Sequence, residues 1–186
     1  MSCTYLVNRD NPLAPDFVPE LLVQADIPFH ICEPDSRRML CRPAAEAARQ
    51  LFCYSRAFHI SLYGISGYRP YERQQEIYNA SLQSRGREHT ERFIAAPGCS
   101  EHQSGLALDV SCPDAGFDLT EAFENTREGK WLRIYAPMFG FILRYPKNKE
   151  KITGYAYEPW HIRYVSKSLA LYLSLTGLTL EEYHHI

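Results

Sequence analysis

The sequence predicts a single domain that mixes helices with short strands, and three observations carry that prediction. Apolar residues recur at helical spacing through Ala44, Ala47, Ala48, Leu51 and Phe52. Strict alternation then replaces that period: Leu106, Leu108 and Val110 point one way, and Ala107, Asp109 and Ser111 point the other. No linker, internal repeat or low-complexity tract divides the 186 residues, a length sufficient to bury one core.

Composition narrows the class. With 45% hydrophobic and 23% charged residues, the chain is neither a disordered tail nor a membrane protein. A formal net charge of -2 offers no electrostatic footprint for nucleic acid. Met1 to Asp10 lack the basic start and apolar run of a signal peptide. No stretch approaches the roughly 18 apolar residues of a membrane span. A cytoplasmic protein without a membrane anchor is expected. Cys3, Cys32, Cys41, Cys53, Cys99 and Cys112 form no C-x-x-C pair, and without an export signal they read as reduced thiols.

Residues 1–42 are expected to form an irregular arm, because Pro12, Pro15, Pro19, Pro28 and Pro34 leave no room for long elements. Apolar runs such as Leu21-Leu22-Val23 would pack it on the body. Pro43 suits the first turn of a helix. Ile60 to Ile65 reads as a strand that empties into Ser66-Gly67-Tyr68-Arg69-Pro70, and a helix follows from about Tyr71 to Ser84. Gly86 to Pro97 is expected to be a loop. The alternating strand comes next, with Asp109 on its front. Leu119 to Tyr135 predicts one or two helices interrupted near Gly129, and Phe141 to Tyr145 predicts a strand. Lys147 to Lys151 reads as a solvated turn, and Ile152 to Val165 as the partner strand. A helix from about Ser168 to Leu175 ends at Gly177. Thr179 with Glu182 then makes a capping-box pattern.

Chemistry concentrates in two stretches, Cys99 to Val110 and Glu158-Pro159-Trp160-His161. Together they supply His102, Asp109 and His161 as metal ligands, with Glu158 beside them. Three protein ligands leave Zn²⁺ an open position, which distinguishes a catalytic from a structural site. His102 and Asp109 are spaced too widely for one helical face. His102 is therefore expected from a loop that bends at Gly105, and Asp109 from the strand. Pro159 biases Glu158 toward extended backbone, so Glu158 and His161 bracket a turn or bulge. Two neutral imidazoles and one carboxylate leave the ion a net positive charge and strong Lewis acidity. Glu158 is then placed to act as general base. Arg69 offers a planar cation to a developing oxyanion or a substrate carboxylate. Gln74 lies close to it in the following helix.

Structural explanations compete with each assignment. A lone His–Asp pair is more often a hydrogen bond than a metal site, and an isolated Arg69 would as readily form a surface ion pair. Ser100 can cap a local turn. Trp160 reads as packing, and His30, His59 and His89 as surface or satisfied core residues. His184 and His185 carry no expected function. Cys99 and Cys112 flank the signature, but no His–Cys arrangement supports a nucleophile.

Taken together, Ser66-Gly67-Tyr68-Arg69, Ser100-Glu101-His102 through Gly105 to Asp109, and Glu158-Pro159-Trp160-His161 resemble the D-alanyl-D-alanine metallopeptidases. The narrower resemblance is to the VanY and VanXY enzymes of vancomycin resistance, within the wider group of lysostaphin and the hedgehog domain. It runs from about residue 60 to 165, and Phe141 to Pro146 and Leu180 to His184 extend it. It implies an α+β fold with a small central antiparallel sheet that carries the zinc site between flanking helices. It implies that His102, Asp109 and His161 bind one catalytic zinc, that Glu158 is the base and that Arg69 steadies the transition state. Ser100 and Gln74 would lie near the substrate's terminal D-alanine. The implied substrates are D-Ala-D-Ala and peptidoglycan precursor pentapeptides. Two alternatives stand beside this reading. One is an L-alanyl-D-glutamate endopeptidase of the endolysin type, which would need a wall-binding module beyond residue 186. The other is a zinc-stabilised interaction domain without turnover, which would not require Glu158 and Arg69.

Overall fold

The computed structural model describes residues 3–31 and 35–185. Its elements in chain order are β1 (Leu22–Gln24), β2 (Met39–Cys41), α1 (Arg42–Ala57), β3 (Tyr63–Ser66), α2 (Tyr71–Phe93), β4 (Ala107–Ser111), α3 (Arg127–Tyr135), β5 (Phe141–Leu143), α4 (Glu150–Thr153), β6 (His161–Tyr164), α5 (Lys167–Thr176) and α6 (Leu180–His184). Short 3-10 turns fill several of the connections, notably Glu101–Ser104 before β4. The α+β class holds.

Four strands make the central antiparallel sheet in the order β3-β4-β6-β5. Leu106, Leu108 and Val110 enter the main core with Ala44, Ala48 and Leu51 of α1 and with Ile162. Ile142, Val165, Leu169, Leu173 and Leu180 form a second cluster that seats α5 and α6. Gly177 closes α5 in a left-handed conformation, and the Thr179–Glu182 capping box starts α6 with both reciprocal bonds made.

The proline-rich arm is more regular than expected. β1 and β2 pair through Leu22↔Cys41, Val23↔Leu40 and Gln24↔Met39, and Leu40 is fully buried beneath them. Strands of three residues carry too little alternation to be legible between prolines. Cys32, Glu33 and Pro34 of that arm lie outside the described residues, as do Met1, Ser2 and Ile186.

A larger correction concerns Gly86 to Pro97, of which only residues 94–97 form the expected loop up to the signature. Gly86 takes φ 79 and ψ 172, a combination essentially restricted to glycine, and a second helical segment continues to Phe93. The chain folds back there, so that the Ser81 and Thr90 hydroxyls meet at 2.8 Å. α2 is therefore a helical hairpin. Few apolar residues mark its second arm, which is why the periodicity is silent.

Three smaller differences follow from backbone satisfaction. Thr126 breaks the 121–135 region, because its hydroxyl accepts from the Gly129 amide at 2.9 Å and caps α3. Glu150–Thr153 coils into a helical turn instead of a plain solvated one. The expected partner strand pairs only over His161–Tyr164. Before it, the chain has a helical turn, a bend and an irregular stretch whose amides find other acceptors: Ala156 N–H donates to Arg92 O at 3.2 Å, and Glu158 N–H to Tyr145 O at 3.1 Å.

Candidate active site

The three expected ligands converge from two neighbouring strands and one turn. Asp109 of β4 and His161 of β6 are direct cross-strand partners. His102 comes from the 3-10 turn Glu101–Ser104, which Gly105 ends in a left-handed conformation at φ 68, so the chain bends there as expected. The His102 Nε2–Asp109 Oδ2 distance is 3.1 Å and the His161 Nδ1–Asp109 Oδ1 distance is 2.9 Å. One donor atom from each of the three residues lies within 4.8 Å of the others, and all three side chains are buried.

The outer nitrogens of both imidazoles are committed, and this fixes which nitrogen faces the site. His102 Nδ1 donates to the Gly67 carbonyl at 2.7 Å, leaving Nε2 as the inward lone pair. His161 Nε2 donates to Glu101 Oε2 at 3.4 Å, leaving Nδ1 inward. Histidine ligands backed by a carbonyl or carboxylate are the usual arrangement around zinc. With two nitrogens, one carboxylate and no fourth protein donor among the described residues, the set fits a zinc ion with an open position.

Behind His161 lies an ion network without local sequence signal. Glu101 Oε1 accepts from Arg144 Nε at 2.7 Å and Arg163 Nη1 at 2.9 Å. Arg144 then grips Glu181 of α6 with two bonds, at 2.8 and 2.5 Å. Arg163 also donates to the backbone carbonyl of Tyr5 at 2.9 Å. Burial alone would raise the Glu101 pKa, but Arg144 and Arg163 hold it well below the ordinary carboxylate range. Tyr145, packed on the His161 ring at a centroid distance of 5.0 Å, closes this side. None of Glu101, Arg144, Arg163, Glu181 or Tyr145 draws attention at the sequence level, although all but Arg163 fall inside phrases that carry the resemblance.

Charge is unevenly distributed among the site carboxylates. Burial also works against ionisation of Asp109, yet His102 and His161 keep its pKa well below the usual range. Glu158 has no such support: burial pushes it up to about 8, and Asp109 and Glu101 add to the rise against the pull of His161 and Arg69. Its Oε2 stands 4.0 Å from His161 Nδ1. Burial disfavours charge on His161, but its bonds to Asp109 and Glu101 prevail and raise it to about 9. His102 is lowered by burial.

Arg69 reaches the same cleft, with Nη2 3.9 Å from Asp109 Oδ2. Gln74 Oε1 accepts from its Nη1 at 2.9 Å and Ser66 Oγ from its Nη2 at 3.1 Å. Gln74 is not an exposed helical glutamine. It is 2% exposed, and its other end donates to Ala95 O at 2.7 Å. Ser100 lines the cleft but does not cap the turn it precedes, and its hydroxyl has no partner among the described residues. The cleft has a volume of about 350 Å³ and is also lined by Tyr155 and Trp160. Elsewhere, His30 stacks on Phe117 at 3.7 Å, and burial raises the Cys99 and Cys112 thiols, away from nucleophilic use.

The family described as VanY: D-alanyl-D-alanine carboxypeptidase matches residues 37–167, which contain every residue of this cleft. The chain belongs to that family. Among VanY-family relatives, the Bacillus subtilis (strain 168) carboxypeptidase candidate YodJ is 43% identical over 178 residues, covering 96% of this chain. The chain spans 65% of the length of that relative. VanXYC of Enterococcus gallinarum, a bifunctional D-Ala-D-Ala dipeptidase and carboxypeptidase, is 32% identical across 99% of this chain and 94% of its own. The LdcB LD-carboxypeptidase structure superposes with a TM-score of 0.92 at 43% identity, covering 97% of this chain and 84% of LdcB. The D,D-dipeptidase VanXYg, solved with a D-Ala-D-Ala phosphinate analogue, gives a TM-score of 0.84 at 34% identity over 99% of this chain and 70% of its own. Another relative with this fold, a VanY from a VanB-type cassette, was solved as a complex with Zn(II). No helix among the described residues is long and apolar enough to cross a membrane.

Proposed function

We propose that this chain is a zinc-dependent peptidase that hydrolyses D-Ala-D-Ala and removes the C-terminal D-Ala of peptidoglycan precursor pentapeptides. The observation that carries the reading is the convergence of His102, Asp109 and His161 donors within 4.8 Å, in a cleft that also holds Glu158 and Arg69. Zinc held by His102, Asp109 and His161 would supply Lewis acidity, polarising the scissile carbonyl and lowering the pKa of water enough for it to give up a proton as it attacks. Glu158, raised to about 8 in the metal-free cleft, would be restored to its carboxylate form by the charge of a bound cation and would then take the proton of the attacking water on a carboxylate oxygen. As the C–N bond breaks, Glu158 returns that proton to the leaving amine of D-alanine. Arg69, held at both ends by Gln74 and Ser66, presents a fixed cation to the oxyanion or the terminal carboxylate. The uncommitted Ser100 hydroxyl bonds the terminal D-alanine, while Gln74 acts through Arg69. Working on precursors in the cytoplasm, such an enzyme would deny vancomycin its target and contribute to resistance.

A second reading has a specific observation behind it. The 43% identity and close superposition on an LD-carboxypeptidase favour cleavage after an L-residue, again with release of a C-terminal D-amino acid. The two readings differ only in the chirality recognised before the scissile bond.

D-Alanine release decides between them. The substrates are D-Ala-D-Ala, UDP-muramyl-pentapeptide and a tetrapeptide ending L-Lys-D-Ala, each with chelator and with zinc restored. Chelator-sensitive release from the first two supports the D,D-peptidase, and release from the third alone supports the L,D-enzyme. No release by protein shown to hold zinc would return the endopeptidase and the non-catalytic domain to the front.

A further inference from the structure

The α2 hairpin does more than support Arg69. Its turn at Gly86 brings Arg85, His89 and Phe93 into the lining of the same cleft that holds the catalytic groups. Arg85 Nη1 donates to His89 Nε2 at 3.2 Å, and the Phe93 ring packs on the His89 ring at 4.8 Å. That bond makes His89 Nε2 an acceptor, so its Nδ1–H remains a donor beside the remaining guanidinium N–H groups. Among the described residues, neither side chain forms an ion pair. The nearby acid Glu91 is engaged by Arg87 at 3.6 Å, and the exposed Glu88 does not line the cleft. A positive, donor-rich corner thus stands in the cleft apart from Arg69.

Its position defines what it can read. Gln74, which holds Arg69, and Arg85 lie on the first arm of α2, separated by roughly 16 Å at the helical rise per residue. An extended peptide needs about five residues to cover that distance. A dipeptide seated at Arg69 and the three ligands spans less than half of that helical separation, whereas a longer peptide can cover it.

We infer that Arg85 and His89 form an anion-binding subsite for the part of the substrate upstream of the scissile bond, which selects extended peptides bearing a carboxylate over neutral ones. The inference rests on the peptidase reading above and deepens it: the preferred substrate is a peptide with an acidic group several residues before its terminal D-alanine. Phosphate could satisfy the same donors, so both anions are tested.

The experiment uses the zinc-loaded protein and pentapeptides ending in D-Ala-D-Ala, or in L-Lys-D-Ala if that is the terminus cleaved. The N-terminus carries an acetyl, succinyl or phosphoryl cap. The succinyl peptide is expected to exceed the acetyl peptide in kcat/KM by up to about five-fold, the scale of one partly exposed ion pair. The advantage should lie in KM and shrink with added salt. In Arg85→Ala the succinyl-to-acetyl ratio should fall to near one, and Arg85→Lys should restore part of it. Arg87→Ala, an equal charge change outside the cleft, should leave the ratio in place. A phosphoryl cap that outperforms succinyl would make phosphate the preferred anion; the reverse order makes it the carboxylate. Equal rates on all caps, or a ratio unaltered by Arg85→Ala, would overturn the subsite while leaving the peptidase intact. Absence of D-alanine release from every peptide would overturn the peptidase reading and this one with it.

Discussion

Asp109 and His161 face each other across β4 and β6, and their side chains meet at 2.9 Å. Backbone pairing therefore sets the spacing of two of the three proposed metal donors. Only His102 depends on a turn, and its Nδ1–H is pinned by the Gly67 carbonyl. A site built on paired strands is more precise than one built on loops. His161→Ala should accordingly reduce bound zinc from one ion per chain to nearly none, with activity lost in parallel. Metal analysis after gel filtration measures it, and a fully metallated variant would refute the ligand set.

Glu158 should behave differently. Glu158→Gln removes the proton acceptor but leaves all three ligands, so zinc content should stay whole while kcat falls by about 10²- to 10⁴-fold. Unchanged turnover would take Glu158 out of the base role.

Arg69→Ala should lower kcat more than it raises KM if the cation acts on the oxyanion. An effect confined to KM would assign Arg69 to the terminal carboxylate instead. Steady-state kinetics on the best substrate separates the two.

The metal-free protein should lose stability as pH rises. Glu158 titrates near 8 against an ordinary 4.5, so between those values the folded chain holds a proton that the unfolded chain has released. His161, raised to about 9 from 6.5, has the same sign: its contribution is complete below 6.5 and gone above 9. His102, lowered by burial, acts oppositely and only near and below its ordinary value. The apo midpoint of thermal unfolding should thus be lower at pH 9 than at pH 7. Excess zinc should flatten the trend, because binding takes the proton from His161 Nδ1. A rising apo curve over that interval would contradict these assignments.

Much of the site was legible because its signals are local. Alternation over 106–111 placed Asp109 on the face opposite Leu108, and the Glu158-Pro159-Trp160-His161 phrase marked the turn before β6. The network behind His161 was not legible. Glu101 meets Arg144 and Arg163 across separations of 43 and 62 residues, and Arg144 meets Glu181 across 37. No periodicity links such positions. The α2 hairpin escaped for a different reason: glycine in a polar helix reads as a stop, whereas Gly86 is a reversal. Gly86→Ala meets no neighbour within 4 Å, so its cost is backbone strain of about 1–3 kcal/mol. Hydrogen exchange should show faster opening of residues 87–93 in that variant; unaltered protection would argue against the strained turn.

The grip of Arg144 on Glu181 ties α6 to the proposed metal site. Glu101 steadies His161 only while Arg144 and Arg163 face it, and Arg144 is fully buried with Glu181 as its second carboxylate. Until α6 docks, that guanidinium is a half-neutralised charge inside the molecule, a state that costs several kcal/mol. Removing α6 or its Glu181 is therefore expected to loosen His161 from a distance, weakening zinc binding without taking away a ligand.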